Sequence, residues 1–240
     1  IVLLGLVLLI GHTRLGAQRW FSMGSFAFQP SELIKISLIL ALSNYVGTKK
    51  ESMSSLSSFA IASILLFIPF VLVLLQPDLG TALLLVPIFF SILVIGGANM
   101  KYVAGMIGLG MAAFPLFWHA LHEYQRQRLL VFINPNIDPL GAGYTIIQSK
   151  IAIGSGGLIG KGWLNGTQNQ LNFLPERHTD FIFSVIGEEW GFFGALVLVL
   201  LYFMIVKRAL NIAMLTSDIY GKSVATGVAV MIALQVIINI

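Results

Sequence analysis

The chain has 240 residues, of which 57% are apolar and only 10% charged, and its 14 basic and 10 acidic side chains leave a net charge of +4. Soluble domains carry roughly a quarter charged residues, so this composition points to a membrane and excludes a disordered chain and a collagen-like fibre. The absence of cysteine excludes a disulfide framework, a thiol nucleophile and a cysteine metal site.

Seven apolar runs read as helices crossing a bilayer: residues 1–10, 31–46, 59–75, 79–98, 102–118, 181–206 and 223–240. A crossing takes about 20 residues, and the first and last runs are cut short by the ends of the sequence. The expected fold is therefore all-α, a polytopic helical bundle forming a single transmembrane domain over 1–240, itself the middle of a longer chain. Pro69, Pro87 and Pro115 fall inside three of the runs. Prolines are tolerated there as kinks where neighbours resatisfy the backbone. Ala104, Gly108 and Ala112 form a stripe of small residues, which predicts close helix packing on that face.

Residues 11–30 read as a connecting loop. Arg19-Trp20 within it is an amphipathic pair suited to the headgroup belt. Gln29-Pro30-Ser31-Glu32-Leu33-Ile34-Lys35 opens the second run, with Pro30 fit for a first helical turn. Glu32 and Lys35, three apart, share a face and pair as a structural link or turn toward a substrate. Gln76-Pro77-Asp78-Leu79-Gly80-Thr81 is a tight turn in which Asp78 reads as a helix cap.

Residues 119–180 form a large loop with no clear crossing, and loops of that length are usually functional or disordered. Its short apolar pieces argue against disorder, and 146–153 reads as a short interfacial or re-entrant helix. Arg126 and Arg128 suit either phosphate binding or snorkelling to headgroups. His119, His122 and Glu123 have metal-like spacing but read as interfacial residues. Gly154-Ser155-Gly156-Gly157-Leu158-Ile159-Gly160 resembles a nucleotide loop but has Ile159 where the last glycine belongs, and no strand precedes it. It reads as a flexible or closely packed turn.

The strongest constellation is Leu174-Pro175-Glu176-Arg177-His178-Thr179-Asp180-Phe181, followed by Glu188-Glu189. At the entry to an apolar helix, Asp180 or Thr179 reads as a cap for first-turn amides, and Asp180 also reads as a general base held at the membrane surface, the two roles not excluding each other. Glu188 and Glu189, two turns on, read as a buried link to a cation on another helix, or as a proton relay. Counting basic residues in the short connections puts Lys49, Lys50, Lys101, Lys207, Arg208 and Lys222 on one face, the cytoplasmic one. The large loop then lies outside the cytoplasm.

Taken together, GAQRW (16–20), QPSELIK (29–35), QPDLGTA (76–82), FINP (132–135), DPLGAGYTIIQS (138–149), GSGGLIGKG (154–162) and LPERHTDFIFSVIGEEWG (174–191) resemble the SEDS family (shape, elongation, division and sporulation), nearer its rod-elongation branch than its division branch. The resemblance implies about ten spans in a full-length protein and a large extracytoplasmic loop. It implies a peptidoglycan glycosyltransferase of the bacterial inner membrane that polymerises lipid II, with a class B penicillin-binding transpeptidase and other rod-shape elongation proteins as partners. The family's essential aspartate falls on Asp180, its Glu and Lys on Glu32 and Lys35, and its tryptophan on Trp20. The substrate-binding candidates are Trp20, Arg19, Glu32, Lys35, Arg126, Arg128 and His178. Charge building on a departing diphosphate calls for basic side chains or a divalent cation, Mg or Mn, and the sequence assigns no metal ligand. A lipid II flippase and a non-enzymatic scaffold are the rival readings.

Overall fold

The computed structural model describes residues 1–10, 12–14, 17–23, 26–49, 53–121, 123–141, 143–171, 173 and 179–240, with the backbone alone at 9, 10, 12–14, 17–19, 22, 23, 26, 27, 120, 124 and 169. The apolar runs all fold as helices. In chain order the elements are α1 (Val2–Ile10), β1 (His12–Arg14), β2 (Ala17–Met23), β3 (Phe26–Phe28), α2 (Pro30–Thr48), α3 (Leu56–Leu75), α4 (Leu79–Ile95), α5 (Met100–Ala120), α6 (Glu123–Ile133), α7 (Tyr144–Gly156), α8 (Thr167–Gln170), α9 (Ile182–Leu215) and α10 (Ile219–Asn239), with a 3-10 turn at Pro135–Ile137. The helices start where their sequences supply caps. Ser55 accepts the Ser58 amide before α3, at 3.3 Å. Asp78 accepts the Thr81 amide before α4, also at 3.3 Å. Each satisfies a first-turn N–H that has no partner within its own helix.

Helices α3, α5, α9 and α10 are long and apolar enough to cross a membrane. Phe67, Leu109 and Leu116 are among many large apolar side chains left exposed. In water such a surface would be a liability, but against lipid it is the expected exterior. The chain is a multi-pass membrane protein.

Its packing divides into two compact units, residues 1–114 with 205–234 and residues 115–204 with 235–240. In the first, α2 and α4 turn repeating apolar faces to a common core. Ile39 and Leu42 of α2 and Leu85, Ile88, Phe89 and Ile92 of α4 are almost completely buried. The spacing of three and four is what places them on one face. Gly227 lets α10 join this core, since a Cβ there would lie 3.0 Å from both Ile39 and Ile92.

Three expectations change. The stretch 11–30 is not simply loop: β1, β2 and β3 form a small antiparallel sheet, with Trp20 opposite His12 and Phe21 opposite Phe28. The run 181–206 is not one uninterrupted helix, because Gly191 breaks α9 with φ 65° and ψ −160°. The stripe on α5 is not packed closely among the described residues, for nothing lies within 4 Å of a Cβ built on Gly108. Within 119–180 the expected helix at 146–153 is α7, and α6 and α8 add helical structure that the apolar pieces did not signal.

Candidate functional site

In the first unit the two motifs beginning Gln-Pro meet at one carboxylate. Asp78 caps α4 through Oδ1, and its Oδ2 accepts from the Ser31 hydroxyl at 3.0 Å and from Gln29 Nε2 at 3.1 Å. Gln29 also donates to Ser31, at 2.8 Å. Ser31 is fully buried and Asp78 nearly so. The expected cap is therefore present, and it also ties the start of α2 to the start of α4. One turn further along α2, the Lys35 ammonium reaches Glu32 at 2.8 Å. The Lys35 side chain is 4% exposed and that of Glu32 is 55% exposed. The expected pairing holds, with a buried cation whose partner faces outward. Trp20 is half-buried in β2, and Arg19, whose backbone alone is described, precedes it on the same strand.

In the second unit Asp180 lies on the turn that leads into α9. It is exposed, and its carboxylate accepts no hydrogen bond from a described residue. The Asp180 side chain thus makes no capping bond to a described residue, and it is open to the outside. Arg126 on α6 is partly committed: its guanidinium donates to the Trp118 carbonyl at 3.3 Å, contacts Glu123 at 3.4 Å and stands 5.7 Å over the Trp118 ring. Arg128 is exposed on the same helix. His178, with Leu174 to Arg177, lies outside the described residues, as does His122. Among the described residues no three of His, Asp or Glu gather as metal ligands.

Among the described residues, Glu188 and Glu189 are bonded by the turn between α7 and α8 and by the start of α8, where the expected link was to a cation on another helix. The Glu188 side chain is fully buried, and its Oε1 accepts from Lys161 Nζ at 2.8 Å, the Gln168 amide at 3.0 Å and the Thr167 hydroxyl at 3.1 Å. Glu189 accepts the Leu164 amide at 3.1 Å. A buried carboxylate is costly unless it is paired and hydrogen-bonded, and Glu188 is both.

The backbone explains why the turn can come so close. The break at Gly191 removes bonds inside α9, and residues 157–162 replace them. The Lys161 and Gly162 amides donate to the carbonyls of Glu188 and Glu189, each at 3.0 Å. In the other direction, the Phe192 and Phe193 amides donate to the carbonyls of Gly157 at 2.9 Å and Leu158 at 3.2 Å. Side chains other than hydrogen would prevent this approach. A Cβ on Gly160 would strike the Glu189 carbonyl, and one on Gly156 the Gly187 carbonyl. Gly160 and Gly162 also have φ of 87° and 98°, the left-handed region that glycine enters at least cost. Trp163 packs edge-on against Trp190, with centroids 5.7 Å apart. The glycine-rich segment is thus the closely packed turn of the two readings. Lys161 was not recognised as the partner of Glu188; the available signal was its position as the sole charge between residues 151 and 175, facing a helix with two glutamates.

Apolar crossing helices, with polar clusters gathered where they begin, define a multi-pass helical membrane protein with candidate chemistry at a helix entrance. Residues 1–240 match the model of the FtsW/RodA/SpoVE family, described as cell cycle protein. The chain belongs to this family, the SEDS family that its motifs resemble. It is 45% identical to the peptidoglycan glycosyltransferase MrdB of Escherichia coli K12, across all of this chain and 65% of that relative. It therefore spans somewhat under two thirds of that protein's length. Among solved structures, a peptidoglycan synthase complex contains a chain of TM-score 0.77 and 36% identity, aligned over 99% of this chain and 66% of the other. The rod shape determining protein RodA of Thermus thermophilus aligns with TM-score 0.64 and 28% identity, over 99% of this chain and 61% of its own.

Proposed function

We propose that this chain is the catalytic part of a peptidoglycan glycosyltransferase that polymerises lipid II into glycan strands for cell elongation. The observation that carries the reading is Asp180, an exposed carboxylate without a hydrogen-bond donor among the described residues, at the mouth of an apolar helix. The family and the name of the Escherichia coli relative support it. The GlcNAc 4-hydroxyl of lipid II attacks the anomeric carbon of a glycan chain carried on undecaprenyl diphosphate. Asp180 takes the hydroxyl proton, the new glycosidic bond forms, and the bond to the diphosphate breaks, releasing undecaprenyl diphosphate. Basic side chains, with or without a divalent cation such as Mg or Mn, offset the charge on the leaving group. Arg128, Arg19, Lys35 and the more committed Arg126 are the candidates, with Trp20 and His178 contacting substrate and Glu32 holding Lys35.

The reaction takes place on the extracytoplasmic side of the bacterial inner membrane. A class B penicillin-binding transpeptidase is the proposed partner, in keeping with the synthase complex to which the chain is similar, together with other rod-shape elongation proteins. A flippase would make Glu32, Lys35, Glu188 and Glu189 the sensitive positions; the bonds of Glu188 and Glu189 to residues 161–168 support a structural role for those two.

The test is lipid II polymerisation by the full-length protein with its transpeptidase, wild type beside Asp180→Asn, with folding and partner binding checked. Strands from wild type and none from a folded mutant are expected. Equal polymerisation by both would overturn Asp180 as the base.

A further inference from the structure

We infer that Glu188, held by Lys161, is a positioning residue for Asp180. The inference rests on the reading of Asp180 as the base. One carboxylate oxygen, on a residue downstream of Asp180, collects bonds from residues upstream of it. Thr167 and Gln168 approach it from upstream, while Glu188 itself belongs to α9, about two turns beyond Asp180. The bond between the Gln168 amide and Glu188 joins residues 20 apart in sequence, and Asp180 lies between them. Closing the chain in this way restricts the excursions open to Asp180.

The closure has a second fastening. Glu189 accepts the amide of Leu164, which sits at φ 59°, a conformation unfavourable for a residue with a Cβ. The Gln170 side chain returns to the Leu164 carbonyl. Lys161 supplies a countercharge to the fully buried Glu188 carboxylate. Such fastening matches what a base on an exposed turn requires. The proton it removes must come within about 3 Å, and a misplacement of about 1 Å costs on the order of a hundredfold in rate.

A purely structural pair would change how much enzyme folds, whereas a positioning pair changes turnover per folded molecule. The experiment uses the full-length protein in lipid nanodiscs with its transpeptidase and lipid II, comparing Lys161→Met, Lys161→Arg, Thr167→Val and Asp180→Asn. Spin labels on Leu171→Cys and Met204→Cys report whether α8 stays docked on α9. Lys161→Met is expected to broaden the label distance distribution and to lower kcat about 10- to 100-fold, with KM within about twofold. Lys161→Arg is expected to restore both. A narrow distribution or wild-type kcat in folded Lys161→Met overturns the inference. Should that variant not fold, Thr167→Val decides: reduced kcat with a broadened distribution supports it, and wild-type kcat overturns it. Asp180→Asn separates the two readings. Lost turnover with a narrow distribution is expected, and full turnover would remove the base assignment and the positioning role together. Lost turnover in Asp180→Asn beside wild-type kcat in Lys161→Met would remove the positioning role alone.

Discussion

Lys161 and Glu188 meet twice: the Lys161 amide donates to the Glu188 carbonyl at 3.0 Å, and the Lys161 ammonium reaches the Glu188 carboxylate at 2.8 Å. The first contact exists because α9 breaks three residues later and leaves that carbonyl available. The second exists because the first has brought the lysine alongside. Main chain and side chain therefore fix the same turn against the same helix.

Glycines on opposite sides of this contact should respond differently from those on α5. Gly160→Ala and Gly191→Ala each place a Cβ against backbone at positive φ, and a loss of at least about 2 kcal/mol of folding stability is expected. Gly108→Ala meets nothing within 4 Å and should be neutral or stabilising by up to about 1 kcal/mol. Unfolding titrations in mixed detergent measure all three. A uniform response would contradict the close approach.

Asp78 should be more sensitive to truncation than to amidation. Asp78→Ala removes the acceptor for Ser31, Gln29 and the Thr81 amide at once, at an expected cost of about 2–4 kcal/mol from the lost cap and the stranded donors. Asp78→Asn retains a carbonyl oxygen for the Thr81 amide and should lose less than half as much. The same titration decides, and equal losses would discount the cap.

The Glu32–Lys35 pair is asymmetric in burial, and its two truncations should differ in size. Glu32→Gln strands a buried ammonium and should destabilise by about 1–3 kcal/mol. Lys35→Met leaves behind a carboxylate that water already reaches, and should cost less than about 1 kcal/mol. Thermal unfolding of both variants in one detergent tests the ordering.

For Asp180 stability and activity should part company. An exposed side chain with no hydrogen bond from a described residue contributes little to folding, so Asp180→Asn is expected within about 0.5 kcal/mol of wild type. Loss of a general base is expected to lower lipid II polymerisation by about 10²- to 10⁴-fold. A melting curve and a polymerisation assay on one preparation test both statements.

The helices were legible because a membrane crossing is written in a continuous run of apolar residues, and α1 to α5, α9 and α10 all fall on such runs. Asp78 as a cap and Glu32 with Lys35 as a pair were legible for a related reason: both depend on spacings of three residues within one helix turn. The second tie of Asp78, to Ser31, spans 47 residues and has no local signature. The break at Gly191 was invisible because IGEEWGFFG is compatible with a helix, and the bonds that compensate for the break come from residues 157–162. The small sheet was missed because strands of three to seven residues give too short an alternation to recognise.

The bend at Gly191 has a consequence for how α9 comes into being. A peptide cut to Ile182–Leu215 would carry the same glycine but none of the groups at Gly157, Leu158, Lys161 and Gly162 that bond to the opened backbone. In lipid, where unpaired amides and carbonyls find no water, such a peptide would close into an uninterrupted rod. The bend in this helix is therefore a property it shares with the turn docked against it and does not hold alone.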